Sequence, residues 1–218
     1  MRAFLKVSYV ALLLWLSGVP DSYASEQSKT IPLAQVPPVA QKTILAKVGE
    51  GKLGDVDQVT EDAGEISYDI EVTGKDGVER SFNVTPDGKL QSWQVFITEL
   101  PEAVQKTIEK QKGKGKLEEI YKDFEAGEFT YEVSAKHRNG KEYSFTVGVD
   151  GKLISVEMEL GQTPKVVQKA IRTQVADGKV SRIDKYLDDE EVTFDVEAEK
   201  GGKAISFSLT PDGKLVED

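Results

Sequence analysis

The chain has 218 residues, no cysteine, and 38 acidic against 28 basic residues, which gives a net charge of −10. Without cysteine it has no disulfide framework, no thiolate metal site and no cysteine nucleophile. The negative charge repels phosphate backbones and anionic lipid surfaces, so we expect neither a nucleic acid nor a membrane surface as a partner.

The first 24 residues have the pattern of a secretory signal peptide. Arg2 and Lys6 precede an apolar run over residues 7–16, and Ser22-Tyr23-Ala24 has the small residues of a cleavage site. The run is shorter than the roughly 20 residues that a membrane-spanning helix needs. We expect cleavage near Ala24, a periplasmic or secreted mature protein without a membrane span, and an unstructured polar segment over residues 25–33.

Similar segments then follow one another three times. Three helix openings, PPVAQKTI, PEAVQKTI and PKVVQKAI, begin at Pro37, Pro101 and Pro164. Three hairpin turns close the copies, with their glycines at Gly88, Gly151 and Gly213. The spacing exceeds the period of about 20–50 residues that is typical of solenoids, so we interpret the copies as small tandem domains. Their predicted ranges are 34–97, 98–160 and 161–218.

The second copy shows the predicted elements best. Val104 and Ile108 lie four residues apart behind Pro101, which predicts a helix with one buried face. Residues 129–136 alternate between apolar and polar side chains, as in an antiparallel strand with one dry face. Asn-Gly and Asp-Gly dipeptides predict turns into two further strands, and a weaker strand over residues 117–121 precedes them.

The same succession in the other copies predicts an α+β fold of three tandem repeats, each with one helix packed on a four-stranded antiparallel sheet. The third copy ends at Asp218, so we expect its last strand to be shortened. We assign Trp93 to the core of the first copy. A domain of this size is only marginally stable alone, so we expect neighbouring copies to contact each other.

The segments LPEAVQKTI, FTYEVSAK and YSFTVGVDGKLISVE, in this order, resemble the PepSY-like, beta-lactamase-inhibitor-like domain family. Versions of them recur in all three copies. The resemblance implies an exported α+β protein, similar in fold to beta-lactamase inhibitor protein, that offers an open sheet as a docking face. It implies no catalytic residue, and it carries over no target.

No arrangement of residues predicts catalysis. A Ser-His-Asp triad would need His137, the only histidine, which adjoins a predicted turn and which we interpret as a solvated hairpin residue. Gly49, Gly51 and Gly54 match a dinucleotide-binding spacing, but that motif needs a strand before it and a helix after it, and here the order is reversed. We therefore expect a protein that is not an enzyme, with no catalytic residue and no cofactor site.

One carboxylate run could bind a cation. Residues 188–191 of the third copy are all acidic, and Ca²⁺ binds carboxylate oxygens. The run lacks the spacing and the glycine of a dedicated calcium loop, so we interpret it as a solvated turn and predict no metal site.

Two surfaces are candidates for binding a partner. One is basic, where Lys112 and Lys114 follow the second helix, although cations near a helix carboxyl end also have a simple electrostatic explanation. The other is the polar face of the predicted sheet, which carries Glu132 and Lys136. Phe96 is predicted to point outward beside it and is a candidate aromatic anchor.

These observations predict an exported, non-enzymatic protein-binding module whose partner is another exported protein. Inhibition or regulation of an envelope hydrolase, of the peptidase or beta-lactamase type, is one role of this class. The alternative is a periplasmic protein that binds a small ligand, or a cation such as Ca²⁺, through carboxylates at the hairpin turns.

Overall fold

The computed structural model describes residues 27–60, 64–125, 127–187 and 191–216. These residues form three helices, α1 (Pro38–Val48), α2 (Glu102–Lys112) and α3 (Lys165–Val175). They also form twelve strands: β1 (Gln27–Thr30), β2 (Lys52–Thr60), β3 (Ile66–Thr73), β4 (Glu79–Val84), β5 (Leu90–Gln94), β6 (Lys116–Glu125), β7 (Glu128–Lys136), β8 (Glu142–Gly148), β9 (Leu153–Glu157), β10 (Lys179–Leu187), β11 (Val192–Lys200) and β12 (Lys203–Leu209).

All twelve strands belong to one antiparallel sheet, in the order β1 to β12. The predicted α+β class is therefore confirmed, and the predicted contact between neighbouring regions is made by strand pairing, β5 with β6 and β9 with β10. The sheet is not divided into one four-stranded sheet per helix. After α3 come three strands and, in the described residues, a single bridge between Leu209 and Leu215.

The segment before α1 differs from the prediction. Residues Gln27–Thr30 form β1, which pairs with β2 at the edge of the sheet. The Thr30 hydroxyl donates a hydrogen bond of 2.5 Å to Asp57 Oδ1. Four polar residues show no alternation that would identify a strand. The free edge of β2 supplies the backbone partners that order them.

Each helix starts directly after a proline and buries one face. Pro37, Pro101 and Pro164 have extended backbones and stand at the N-caps. The buried pairs are four residues apart in every helix: Ala40 and Ile44, Val104 and Ile108, Val167 and Ile171. That spacing lies on one side of a helix, so the predicted helices and their buried faces are confirmed.

The Asp-Gly hairpins pack on the helices. The hydroxyls of Thr43 and Thr107 donate hydrogen bonds of 2.7 and 2.6 Å to the carbonyls of Gly88 and Gly151. Both glycines have positive φ, 82° and 86°, which disfavours other residues. A Cβ atom on Gly151 would lie 2.8 Å from the Ala103 Cβ. The QKT and DGK segments therefore form the same kind of helix–hairpin contact in the first and second regions.

The register of the strands puts the apolar core on one face of the sheet. Ile70 pairs with Phe82 and Phe82 with Trp93. Further along the same row, Tyr131 pairs with Val147. These residues belong to the clusters that contain the buried side chains of α1 and α2, and Trp93 is a half-buried member of the first. We call this the helix-packed face.

Candidate binding surface

The opposite face of the sheet carries a continuous row of polar side chains, because neighbouring residues of a strand point to opposite faces. We call it the open face, since the three described helices all pack on the other side. One row crosses nine strands, and its members are Glu71, Ser81, Gln94, Tyr121, Glu132, Thr146, Ser155, Tyr186 and Thr193. Successive members are register pairs, except that Ser81 and Gln94 are joined by a hydrogen bond of 3.3 Å from the Ser81 backbone N–H to Gln94 Oε1.

Side chains on the open face are held by hydrogen bonds within and between strands. The hydroxyls of Ser81 and Tyr121 lie 2.6 Å apart. Arg182 makes a bidentate contact with Asp184, at 2.5 Å from Nε and 3.0 Å from Nη2, and Nη2 also donates to Ser144 Oγ at 2.8 Å. Groups fixed in this way lose little conformational entropy when a partner binds.

Pairs of carboxylates lie opposite each other toward both ends of the open face. Asp57 lies directly opposite Asp69, and Asp184 lies directly opposite Asp195. Burial raises the pKa of the Asp69 carboxyl, the hydrogen bond from Asn83 lowers it, and the charge of Asp57 raises it further. The face therefore presents negative charge to a partner.

The structure places two of the predicted binding residues on the open face. Glu132 is at its centre, in register with Tyr121 on one side and Thr146 on the other. Lys136 lies at the end of β7, where Nζ is 2.8 Å from Glu142 and 3.4 Å from Glu118. Lys136 is therefore already paired and adds little positive charge.

The two other predicted lysines lie at the end of α2. Lys112 pairs with Glu109 at 2.9 Å and its side chain is only 19% exposed, whereas Lys114 is exposed. Their neighbourhood adjoins Lys136, because a Cβ atom on Gly115 would lie 2.4 Å from the Lys136 carbonyl oxygen. The structure thus brings these lysines into one region, with two of the three neutralised.

Phe96 and His137 make contacts that the sequence did not indicate. Phe96 is 36% exposed, and the guanidinium carbon of Arg80 lies 4.8 Å from its ring centroid. His137 is half-buried and stacks on Tyr143 at 4.0 Å. His137 thus lies beside the hairpin turn, as predicted, but its ring packs on an aromatic neighbour and is only partly solvated.

The contributions of β6 and β10 to the open face were missed. Tyr121, Arg182 and Asp184 come from these two strands, and each strand contains a register shift near its start. A shift of one residue moves all later side chains to the other face, so alternation along the sequence does not identify them.

Within the described ranges, no group of three His, Asp or Glu residues could hold a metal ion. Residues 188–190 of the acidic run, which we interpret as a solvated turn, lie outside those ranges. No described helix is both long and apolar enough to cross a membrane.

This chain belongs to the family described as "Putative beta-lactamase-inhibitor-like, PepSY-like", whose model matches residues 23–92 and 131–217. The resemblance noted in the sequence is thus confirmed at the level of the family. No curated protein matches the chain.

Several solved structures are similar in part. A DUF2874 family protein from Bacteroides ovatus is 17% identical, with 54% of this chain and 85% of that chain covered and a TM-score of 0.39. A BLIP-like protein from Bacteroides fragilis is 15% identical, with coverages of 54% and 84% and a TM-score of 0.39. A protein from Bacteroides thetaiotaomicron, described as a "putative calcium-regulated periplasmic protein", is 20% identical, with coverages of 59% and 95% and a TM-score of 0.35.

Proposed function

We propose that this protein is an exported, non-enzymatic binding module that docks another exported protein on the open face of its sheet. The observation that carries the proposal is the polar row across nine strands, on the side of the sheet away from α1, α2 and α3. An antiparallel sheet with one uncovered face offers a broad, rigid surface, and standard protein interfaces bury about 800 Å² on each partner.

The chemistry of the open face indicates a partner with a basic surface. Carboxylates such as Glu132, Asp69 and Glu71 give it negative charge, and complementary charge speeds encounter and selects partners. Tyr121 and Tyr186 lie in the same row. Tyrosine is enriched at interface hot spots because it combines apolar area with a hydroxyl, so these two side chains are the proposed anchors.

The finer organisation belongs to the same proposal. The chain consists of three tandem units, 34–97, 98–160 and 161–218, each contributing a helix and the strands that follow it. A leader is removed near Ala24, and the mature protein acts in the periplasm or outside the cell. Its role is inhibition or regulation of an envelope hydrolase, with the open face covering part of the enzyme.

Charge reversal at the centre of the open face tests the proposal. The unchanged protein is immobilised, partners are captured from a periplasmic extract and identified, and the affinity of the purified partner is then measured by calorimetry. We expect Glu132→Lys to weaken binding about tenfold or more, since it sets a cation against a basic partner.

The matched control is Glu102→Lys. Glu102 lies on α2, is exposed, and pairs with exposed Lys106 at 2.6 Å, so the same charge change occurs away from the open face. Equal loss of affinity in both variants, or no loss in Glu132→Lys, contradicts docking on this face. If the partner is a hydrolase, its kcat/KM should fall when this protein is added.

The cation-binding alternative has a separate readout. A cation carrier should lose several degrees of melting temperature when chelator is added, because a ligand that binds only the folded state stabilises it. A protein-docking module should melt at an unchanged temperature.

A further inference from the structure

The helix-packed face contains a cleft where the sheet passes from α1 to α2. We call this region, in which β5 pairs with β6, the first junction. The cleft has a volume of about 420 Å³, within the range of about 300–1,000 Å³ that is typical of small-ligand sites. Its apolar lining includes Val48, Phe82, Trp93, Val95, Leu100 and Tyr131.

Three cations also line the cleft, although the chain as a whole is acidic. They are Lys47 from α1, Arg80 from β4 and Lys122 from β6. Lys122 is directly opposite Trp93 in the sheet and therefore points to the helix-packed face. A lysine at a core-facing strand position is unusual, because burial of an ammonium group is costly unless something compensates it.

Aromatic rings, rather than carboxylates, accompany the two lysines. Lys47 Nζ lies 4.6 Å and Lys122 Nζ 5.2 Å from the centroid of the Trp93 ring. Both distances are within the cation–π range of about 6 Å. Among the described residues, neither lysine forms an ion pair. One carboxylate, that of Glu99, lines the cleft, and it pairs with Arg80 at 2.9 Å.

The three cations also interact with each other. Partial burial lowers the pKa of Lys47, and the positive charges of Arg80 and Lys122 lower it further. Two ammonium groups beside one aromatic ring repel each other, so an anion placed between them would relieve that repulsion as well as bind to each.

We propose that this cleft is a binding site for a carboxylate attached to an apolar group. The carboxylate lies between Lys47 and Lys122, and the apolar group packs against Trp93 and Val95. Charge complementarity selects the acid, and the aromatic and aliphatic lining selects the apolar part. The site is on the opposite side of the sheet from the proposed docking face and does not depend on it.

Such a carboxylate has two sources, a free small acid or the carboxyl end of a polypeptide. The probes are N-acetyl-L-phenylalanine, its uncharged amide, and a short glycine- and serine-rich peptide that ends in phenylalanine with a free carboxylate. In a full-length chain with Trp15→Phe, Trp93 is the only tryptophan. Its fluorescence therefore reports directly on the cleft.

We expect N-acetyl-L-phenylalanine, the peptide, or both to change the fluorescence saturably, with a dissociation constant of about 1 mM or below, while the amide does not. Binding of the peptide alone assigns the site to polypeptide ends. Lys47→Gln and Lys122→Gln should each weaken binding about tenfold or more, since each removes a charge-assisted hydrogen bond.

Lys185→Gln is the matched control. Lys185 occupies the corresponding strand position on β10, opposite Val156, and its loss should leave binding unchanged. The proposal is overturned if neither acid probe binds up to about 10 mM, if the amide binds as well as the acid, or if Lys185→Gln weakens binding as much as Lys122→Gln. Lys47 is exposed on a helix, so its variant tests the site even if Lys122→Gln fails to fold.

Discussion

At two places in the sheet, the last strand before a helix pairs with the first strand after that helix. The side chains at equivalent positions of these two junctions differ. At the first junction Phe82, Trp93 and Lys122 lie side by side. At the second junction, where β9 pairs with β10, the same row contains Phe145, Val156 and Lys185. Trp93 at the first junction and Val156 at the second therefore occupy the same position in the strand pairing.

The neighbours of each row explain why one junction is open and the other is closed. Two residues before Phe145, Tyr143 donates hydrogen bonds of 3.3 and 3.4 Å to the carbonyls of Gln111 and Lys112 at the end of α2. Two residues before Phe82 stands Arg80, which instead pairs with Glu99. The pocket beside Tyr143 has a volume of only about 10 Å³, whereas the cleft beside Arg80 has about 420 Å³.

The difference shows that strand pairing alone does not decide whether a junction becomes a cleft. The two junctions also differ in the side chain two residues before the phenylalanine, which is Tyr143 at one and Arg80 at the other. Tyr143 connects the sheet to the end of α2 by hydrogen bonds, whereas Arg80 lines the cleft and pairs with Glu99.

The largest expected effect is the loss of stability when a core phenylalanine beside either junction is replaced by alanine. Phe145→Ala should lower the free energy of unfolding by about 3–5 kcal/mol, because Phe145 is 1% exposed and its removal leaves a cavity. Phe82→Ala should cost about 1–2 kcal/mol less, since Phe82 borders the cleft and its surroundings can relax into it. Urea titration measures both, and equal losses would contradict the contrast between the junctions.

A smaller effect is expected at the position that closes the second junction. Tyr143→Phe should cost about 1 kcal/mol of stability, because it removes the hydroxyl that binds the end of α2 but keeps the stacking on His137. The same urea titration applies, with Tyr68→Phe as a control, since no hydrogen bond from the Tyr68 hydroxyl is described. A variant as stable as the unchanged protein would mean that the long hydrogen bonds contribute nothing.

The smallest expected effect is on the titration of Lys47. Arg80→Gln should raise the pKa of Lys47 toward its ordinary value of 10.5, because one of the charges that lower it is removed. Nuclear magnetic resonance of the lysine side chains as a function of pH measures the change, with exposed Lys106 as the internal reference. An unchanged pKa of Lys47 would show that Arg80 and Lys47 do not interact.

The sign of the accompanying stability change follows from linkage. The pKa of Lys47 is lower in the folded than in the unfolded chain, so folding disfavours its protonated form. Its contribution to stability therefore improves as the pH rises from the folded pKa to the ordinary value of 10.5. In Arg80→Gln this pH dependence should become weaker.

Most elements could be predicted because each carries a local pattern. Val104 and Ile108, chosen from helical spacing, are fully buried, and Tyr131, Val133 and Ala135, chosen from alternation, are buried as well. The weak strands before them are also present, as β2, β6 and β10. Local periodicity suffices for such segments, because helix and strand geometry alone decides which side chains share a face.

The candidate sites were much less predictable. Glu132 was identified because it lies in a regular strand, whereas Arg182 and Asp184 follow a register shift that hides their face. The cleft combines Lys47, Arg80, Trp93 and Lys122 from four separate elements. One signal was available, since Lys122 interrupts an otherwise apolar alternation with Ile120 and Phe124.

The sequence by itself determined the helices, the alternating strands, the glycine hairpins and the family of this chain, because each depends on contacts within a few tens of residues. Only the tertiary structure decided that the strands form one sheet, that β1 joins its edge, and that one junction is open while the other is closed. These features depend on contacts between residues that are distant in sequence. The local sequence around each residue does not indicate those contacts.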